Sequence, residues 1–162
     1  MLNSIAILGR PNVGKSSLFN KLTKSRNAIV SDFSGLTKDR NFGYATFKDH
    51  QYLVIDTGGV GSEITEFSAA ITEQALIAAE DSNLILFLID ASQELTADDI
   101  DLFQSIRKMN KKFFVVLNKI DIKNRSNAKE DLLKLGCGDV LEISAEHSQG
   151  IKELQTYISK QF

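Results

Sequence analysis

Apolar residues arrive along this chain in two alternating patterns. Unbroken apolar runs occupy 5–8, 52–55, 84–89 and 113–117, each followed by Gly, Asp or Asn, and Val140-Leu141-Glu142-Ile143 reads as a last short strand. Short runs of this kind suit strands buried on both faces. Between them the spacing widens to that of helices. Leu18, Phe19 and Leu22 predict a helix over 14–24, and an Ala-, Glu- and Ile-rich stretch predicts another over 66–80. Ile100, Phe103 and Ile106 share one helical face, Leu132, Leu133 and Leu135 mark a short helix, and Ile151, Leu154 and Ile158 line a closing one. Phe42, Tyr44 and Thr46 alternate with Gly43 and Ala45, and the gap 48–51 before Tyr52 predicts a hairpin. Residues 25–40 and the break at Gly58-Gly59-Val60-Gly61 carry no period and read as loops. A loop as long as the first, inside a compact domain, is usually functional. The alternation predicts an α/β fold: a six-stranded, mostly parallel sheet, five of its strands parallel, with helices on both faces and ligand at the carboxyl ends of the strands.

Composition narrows the class without naming the chemistry. The 162 residues fit one domain, with no internal repeat or low-complexity tract. The single cysteine, Cys137, excludes an intrachain disulfide. It lies between two glycines with no partner ligand nearby in sequence, which argues against a metal or nucleophile role. A formal charge of -2 excludes a strongly basic domain held to nucleic acid by bulk electrostatics. Lys108, Lys111 and Lys112 read as a solvated helix end. No apolar run approaches the ~20 residues of a membrane helix. The first residues lack the basic region and long apolar stretch of a signal peptide. A cytoplasmic protein without a membrane partner is expected.

The chemistry lies in four short motifs. Gly9, Arg10, Pro11, Asn12, Val13, Gly14, Lys15 and Ser16 fit G-x-x-x-x-G-K-[ST], after a predicted strand and before a predicted helix. Glycines let backbone N–H groups approach phosphates, and the helix N-terminus adds partial positive charge. Lys15 is expected at the β- and γ-phosphates and the Ser16 hydroxyl on Mg²⁺. Asp56-Thr57-Gly58-Gly59 ends a predicted strand, so Asp56 sits where ligands of open sheets bind and can hold Mg²⁺ through a water. The Gly59 N–H is then free to meet the γ-phosphate. Asn118-Lys119-Ile120-Asp121 follows another strand. The Asp121 carboxylate can accept the ring N–H and the exocyclic amine of guanine, a donor pair that adenine does not offer. Asn118 can bond the other edge of the base and tie loops together, and the Lys119 stem can lie over its face. Ser144, Ala145 and Glu146 supply backbone N–H groups for the guanine oxygen. His50 and His147 read as exposed.

In this order and at these separations the motifs resemble those of the translation-factor-related P-loop GTPases across the whole chain. The run from Gly9 through Ser16, Ser17, Leu18, Phe19 and Asn20, and the run Gly35-Leu36-Thr37-Lys38-Asp39-Arg40, are similar to the Era, MnmE and Der (EngA) group. Asp56-Thr57-Gly58-Gly59 and Glu73-Gln74-Ala75-Leu76 resemble the N-terminal GTPase domain of the Der type. The resemblance implies GTP and GDP as ligands, with Ser17 among the nucleotide-binding residues. It implies Thr37 as the switch threonine on Mg²⁺ and the γ-phosphate, and Asn12 as a ligand of an activating K⁺. It also implies GTP hydrolysis as a conformational switch in biogenesis of the large ribosomal subunit, with the subunit or its precursor as partner. Ser34 stands where the family usually has Pro. Val60 stands where many GTPases carry a water-orienting glutamine, so the missing charge falls to K⁺, Arg10 or Arg40. Der-type proteins also carry a second GTPase domain and an RNA-binding-like domain; this chain reads as a single, monomeric G domain over 1–162, a fragment of such a protein. Competing readings are a guanine-nucleotide-binding module with negligible turnover and a related Era/MnmE-type GTPase acting in rRNA or tRNA maturation. A P-loop ATPase or small-molecule kinase is opposed by Asp121.

Overall fold

A computed structural model describes residues 2–23, 28–29, 41–58, 69–123 and 126–162. The elements are β1 (Asn3–Leu8), α1 (Lys15–Thr23), β2 (Ala28–Ile29), β3 (Asn41–Phe47), β4 (His50–Asp56) and α2 (Ala69–Glu80). Then come β5 (Leu84–Asp90), α3 (Ala97–Lys108), β6 (Phe113–Asn118), α4 (Ala128–Lys134), β7 (Val140–Glu142) and α5 (Ile151–Ser159). The strands form one sheet in the order β2-β3-β4-β1-β5-β6-β7. Strands β4, β1, β5, β6 and β7 are mutually parallel, as expected; β3 is antiparallel to β4, and β2 to β3.

The sheet therefore has seven strands where the sequence pattern predicts six. The seventh, β2, is two residues long and lies inside the stretch read as loop. Two residues are too few to carry a period, so no pattern announces them. The hairpin is also tighter than the four-residue gap suggests. His50 and Gln51 pair with Phe47 and Thr46, leaving Lys48 and Asp49 as the turn. Both turn residues have positive φ, 52° and 64°, the type I′ pattern whose twist matches the flanking strands.

Successive residues of a strand face opposite sides of the sheet, and the core divides accordingly. Ile5, Ile7, Leu84, Leu86, Leu88, Phe114 and Val116 face one side, where they meet Leu18, Phe19 and Leu22 of α1 and Leu154 and Ile158 of α5. Ala6, Leu8, Ile85, Phe87, Ile89, Val115 and Leu117 face the other, against Leu102, Phe103 and Ile106 of α3 and Leu132 of α4. Helix α1 packs close to β3 through Gly43, where a Cβ would lie 2.9 Å from Phe19 and Thr23 side-chain carbons.

The helical faces differ from the pattern in two places. Ile100 is 36% exposed; Leu102 is buried in its stead, beside Phe103 and Ile106. In α4 only Leu132 of the three leucines is buried in the helix; Leu133 is 51% exposed and Leu135 is the C-cap. No helix among the described residues is long and apolar enough to cross a membrane.

Phe87 is fully buried at the middle of β5 and packs against the Phe103 ring at 6.2 Å between centroids. Phe87→Ala is expected to cost about 3–5 kcal/mol. Urea unfolding should show a lower midpoint with an unchanged slope.

Candidate functional site

Five parallel strands end on one edge of the sheet, so the loops that leave β1, β4, β5, β6 and β7 gather there. The loop after β1 turns into α1 through Gly14, whose φ of +102° suits glycine. The helix ladder begins with the Leu18 N–H on the Gly14 carbonyl at 3.0 Å, so the N–H groups of residues 15–17 precede it. Lys15 is buried, and its ammonium donates to the carbonyls of Gly9 at 2.7 Å and Arg10 at 2.9 Å. Burial lowers its pKa from the usual 10.5 to about 8, with Asp56 opposing the shift and Arg10 adding to it.

Asp56 ends β4 with no solvent exposure. Its carboxylate accepts the Gly58 N–H at 2.9 Å and the Ser16 hydroxyl at 3.0 Å. Burial, the largest influence, pushes the carboxyl above its usual range; the Gly58 N–H, the Lys15 ammonium and the Ser16 hydroxyl pull it back. Thr57, expected among the nucleotide-binding residues, donates its hydroxyl to the Ile7 carbonyl at 2.8 Å and so fastens β4 to β1.

The base-side loops are joined to the phosphate loop by Asn118. Its amide N–H donates to the Val13 carbonyl at 2.9 Å, and its oxygen accepts the Ala145 N–H at 2.9 Å. A Cβ on Gly14 would sit 2.1 Å from that amide nitrogen. Lys119, with φ +68°, sends its ammonium to the Asn12 carbonyl at 2.7 Å and to Asp90 at 3.1 Å. Asp121 meets the His147 imidazole at 3.3 Å. The Ser144 hydroxyl is buried and completes no hydrogen bond among the described residues. Its proximity is nonetheless the largest of the influences that hold the Asp121 carboxyl below the usual range, ahead of the Asp121 N–H and the His147 imidazole.

Two expectations for this region change. The Ser144 N–H pairs with the Gln149 carbonyl and the Ala145 N–H with Asn118, so two of the three N–H groups expected to meet the guanine oxygen already have partners. The short β-bridge between Ser144 and Gln149, which no pattern in the chain marks, is the reason for the first. Arg10, a candidate for the missing charge, donates to Asp99 at 2.7 Å, and Asp99 is 1% exposed. That carboxylate also forms a capping box with Thr96 at the start of α3. The T-x-x-D spacing of Thr96 and Asp99 is a sequence signal for the cap, but nothing in it points to Arg10. Asp90 and His147 as partners of the base loop carry no local sequence signal at all. Pro11 and Ser17 lie on the phosphate loop and first helical turn, and Glu146 is exposed beside Ala145. Thr37, Arg40, Gly59 and Val60 lie outside the described residues. Among the described residues no three His, Cys, Asp or Glu side chains cluster as a metal site.

A family model described as 50S ribosome-binding GTPase matches residues 4–119. GTPase Der of Pseudoalteromonas atlantica is 43% identical over 166 residues, covering all of this chain and 34% of that protein. The chain thus spans about a third of the length of the curated relatives it matches. Among solved structures, Era of Aquifex aeolicus bound to GDP.AlF4- superimposes with a TM-score of 0.78 at 30% identity, over 99% of this chain and 57% of that one. Era in complex with MgGDPNP and nucleotides 1506–1542 of 16S ribosomal RNA gives a TM-score of 0.75 at 31% identity, over 99% and 56%.

The lowered Lys15 pKa makes a stability prediction for the nucleotide-free chain. Between pH 8 and 10.5 the unfolded state holds a proton that the folded lysine has given up, so stability from this group rises with pH in that window. The unfolding free energy of the wild type relative to Lys15→Met should therefore improve by about 2 kcal/mol from pH 8 to 10. Paired denaturant titrations across that range measure it; a flat difference would mean an ordinary, solvated lysine.

Proposed function

The chain belongs to the 50S ribosome-binding GTPase family, and from that premise we propose that it binds guanine nucleotide and hydrolyses GTP as a conformational switch. The observation that carries the reading is the Asn118 side chain, which bonds the phosphate loop at Val13 and the base-side loop at Ala145 with one amide. A phosphate cradle and a guanine reader are thereby held at one fixed separation.

The donor set fits magnesium. Ser16 and Asp56 bring a hydroxyl and a carboxylate to within 3.0 Å of each other. Mg²⁺ prefers hard oxygen donors, keeps several waters and is usually held by one or two carboxylates plus phosphate. Ser16 would ligate it directly and Asp56 through water; when bound, it neutralises phosphate charge. Lys15, whose ammonium rests on the Gly9 and Arg10 carbonyls, would turn to the β- and γ-phosphates when they bind. The N–H groups of the first turn of α1 add their dipoles. The Asp121 carboxylate accepts the two guanine donors. The family resemblance assigns Thr37 and the Gly59 N–H to the γ-phosphate and Asn12 to K⁺. With Arg10 committed to Asp99, K⁺ and Arg40 are the remaining sources of charge within the chain.

The wider role proposed is a switch in ribosome biogenesis, in the cytoplasm, with a ribosomal subunit or its precursor as partner. The Der relatives and the rRNA-bound Era structure support it. The measurement is binding to ribosomal subunits with GDP and with a non-hydrolysable GTP analogue. No difference between the two states would refute the switch.

Base reading is tested by Asp121→Asn, which should weaken guanine and favour xanthine nucleotides, because an amide offers a donor to the extra carbonyl of xanthine. Wild-type discrimination against adenine should reach several orders of magnitude. Competition against a fluorescent GDP analogue decides it, and equal displacement by ATP and GTP would reduce the motif to a turn.

The charge question is tested by hydrolysis in KCl against NaCl at equal ionic strength. An arginine finger contributes about 10³–10⁵ in rate, and a monovalent cation among phosphate oxygens is expected to supply part of that. Asn12→Ala should lose most of the K⁺ stimulation and keep GDP binding. Equal wild-type rates in both salts would remove K⁺ from the mechanism.

A further inference from the structure

Asp90, the last residue of β5, is 4% exposed, and a carboxylate so placed needs partners. One oxygen accepts the N–H and the hydroxyl of Ser92. The other takes the Lys119 ammonium at 3.1 Å. Lys119 is itself unusual: its φ of +68° is left-handed, a conformation that a side-chain-bearing residue adopts only at a cost. The strands fix the pair, because Asp90 stands opposite Asn118 in the register of β5 with β6, one residue before the lysine. The lysine ammonium is then bound at both ends of its reach, to Asp90 and to the Asn12 carbonyl at 2.7 Å.

We propose that Asp90 is a positioning residue for guanine recognition that acts through Lys119. This inference rests on the reading of the site as a guanine-nucleotide site. A lysine stem left free samples many rotamers, and fixing it on binding costs conformational entropy. Tethering the ammonium before the base arrives removes that cost from the binding step. It also sets where the methylene stem runs between the two loops, and hence which face of a base it can cover. An exposed ion pair would contribute little. Here the acid is buried, so Lys119 neutralises a charge that water does not reach, and each group holds the other in place.

The test is GDP affinity in a double-mutant cycle of Asp90→Asn and Lys119→Met on this chain. Asp90→Asn keeps the shape and the Ser92 contacts and removes the charge. It should raise the GDP Kd about tenfold, mainly through faster dissociation. In the Lys119→Met background the same change should cost less than twofold. Asp90→Glu, which keeps the charge while adding one methylene, should recover at least half of the loss on a logarithmic scale. An Asp90→Asn affinity equal to wild type overturns the inference, and so does a loss that persists undiminished beside Lys119→Met. A wild-type chain with no preference for GDP over ADP would overturn the guanine reading itself, and this inference with it; that control is run first.

Discussion

One side-chain amide holds the two halves of the site in register. Asn118 donates to a carbonyl 105 positions earlier and accepts from an N–H 27 positions later. The amide carries its donor and its acceptor on two separate atoms, one for each loop; a carboxylate accepts only, and an aliphatic isostere does neither. The contact is dry, since Asn118 is 3% exposed, so its loss would strand two buried backbone groups. It also dictates its neighbour. The amide occupies the space a Gly14 side chain would need, so the second glycine of the phosphate loop is required by the base-side loop as well as by its own positive φ.

The same edge concentrates charge that the fold would otherwise avoid. Lys15 and Asp56 are both buried, and burial moves each pKa toward its neutral form. Each partly offsets the other. The arrangement makes sense for a site that receives polyanionic phosphate with a divalent cation, because such a ligand restores charge balance to both groups. Perturbed groups converging in this way are a mark of functional sites, though structural ion pairs share it. What separates the two cases is position. Asp56 ends β4 and Lys15 opens the helix after the β1 loop, so both lie at the carboxyl edge of two adjacent parallel strands, where ligands of open sheets bind.

Much of this was legible in the chain. The apolar runs became the five parallel strands because strands buried on both faces need no alternation, and the four motifs fell on the loops that leave them. What escaped was whatever depends on contacts distant in sequence. Two-residue β2 has no period to read. Ile100 lies at the helical spacing of the core face, yet Leu102 takes the interior place, because the sheet and not the helix sets which arc is covered. Thr57 sits inside a ligand motif, but a β1 carbonyl one strand away claims its hydroxyl. Arg10, placed in the phosphate loop as if to meet a phosphate, is drawn aside by Asp99, 89 positions later.

The Arg10 contact belongs to a wider pattern around the segment between β5 and α3. Asp90 and Asp99, at its two ends, bind the cations of two different loops: Lys119 beside the base reader and Arg10 in the phosphate loop. Between them the Ala91 carbonyl accepts the Ser126 hydroxyl, and the Glu94 carboxylate accepts the Asn127 N–H ahead of α4. The segment carries none of the four nucleotide motifs, yet two loops lean on it: the phosphate loop through Arg10, and the β6–α4 connection at both its ends. Its carboxylates turn two mobile basic side chains into fixed struts, and a fixed strut is useful only if what it supports must not move. In the function proposed above, the phosphate and base loops are the parts that must keep a fixed separation. On this view the β5–α3 segment is the stationary frame of the site. The apolar run of β5, buried along its whole length, is what keeps that frame in place.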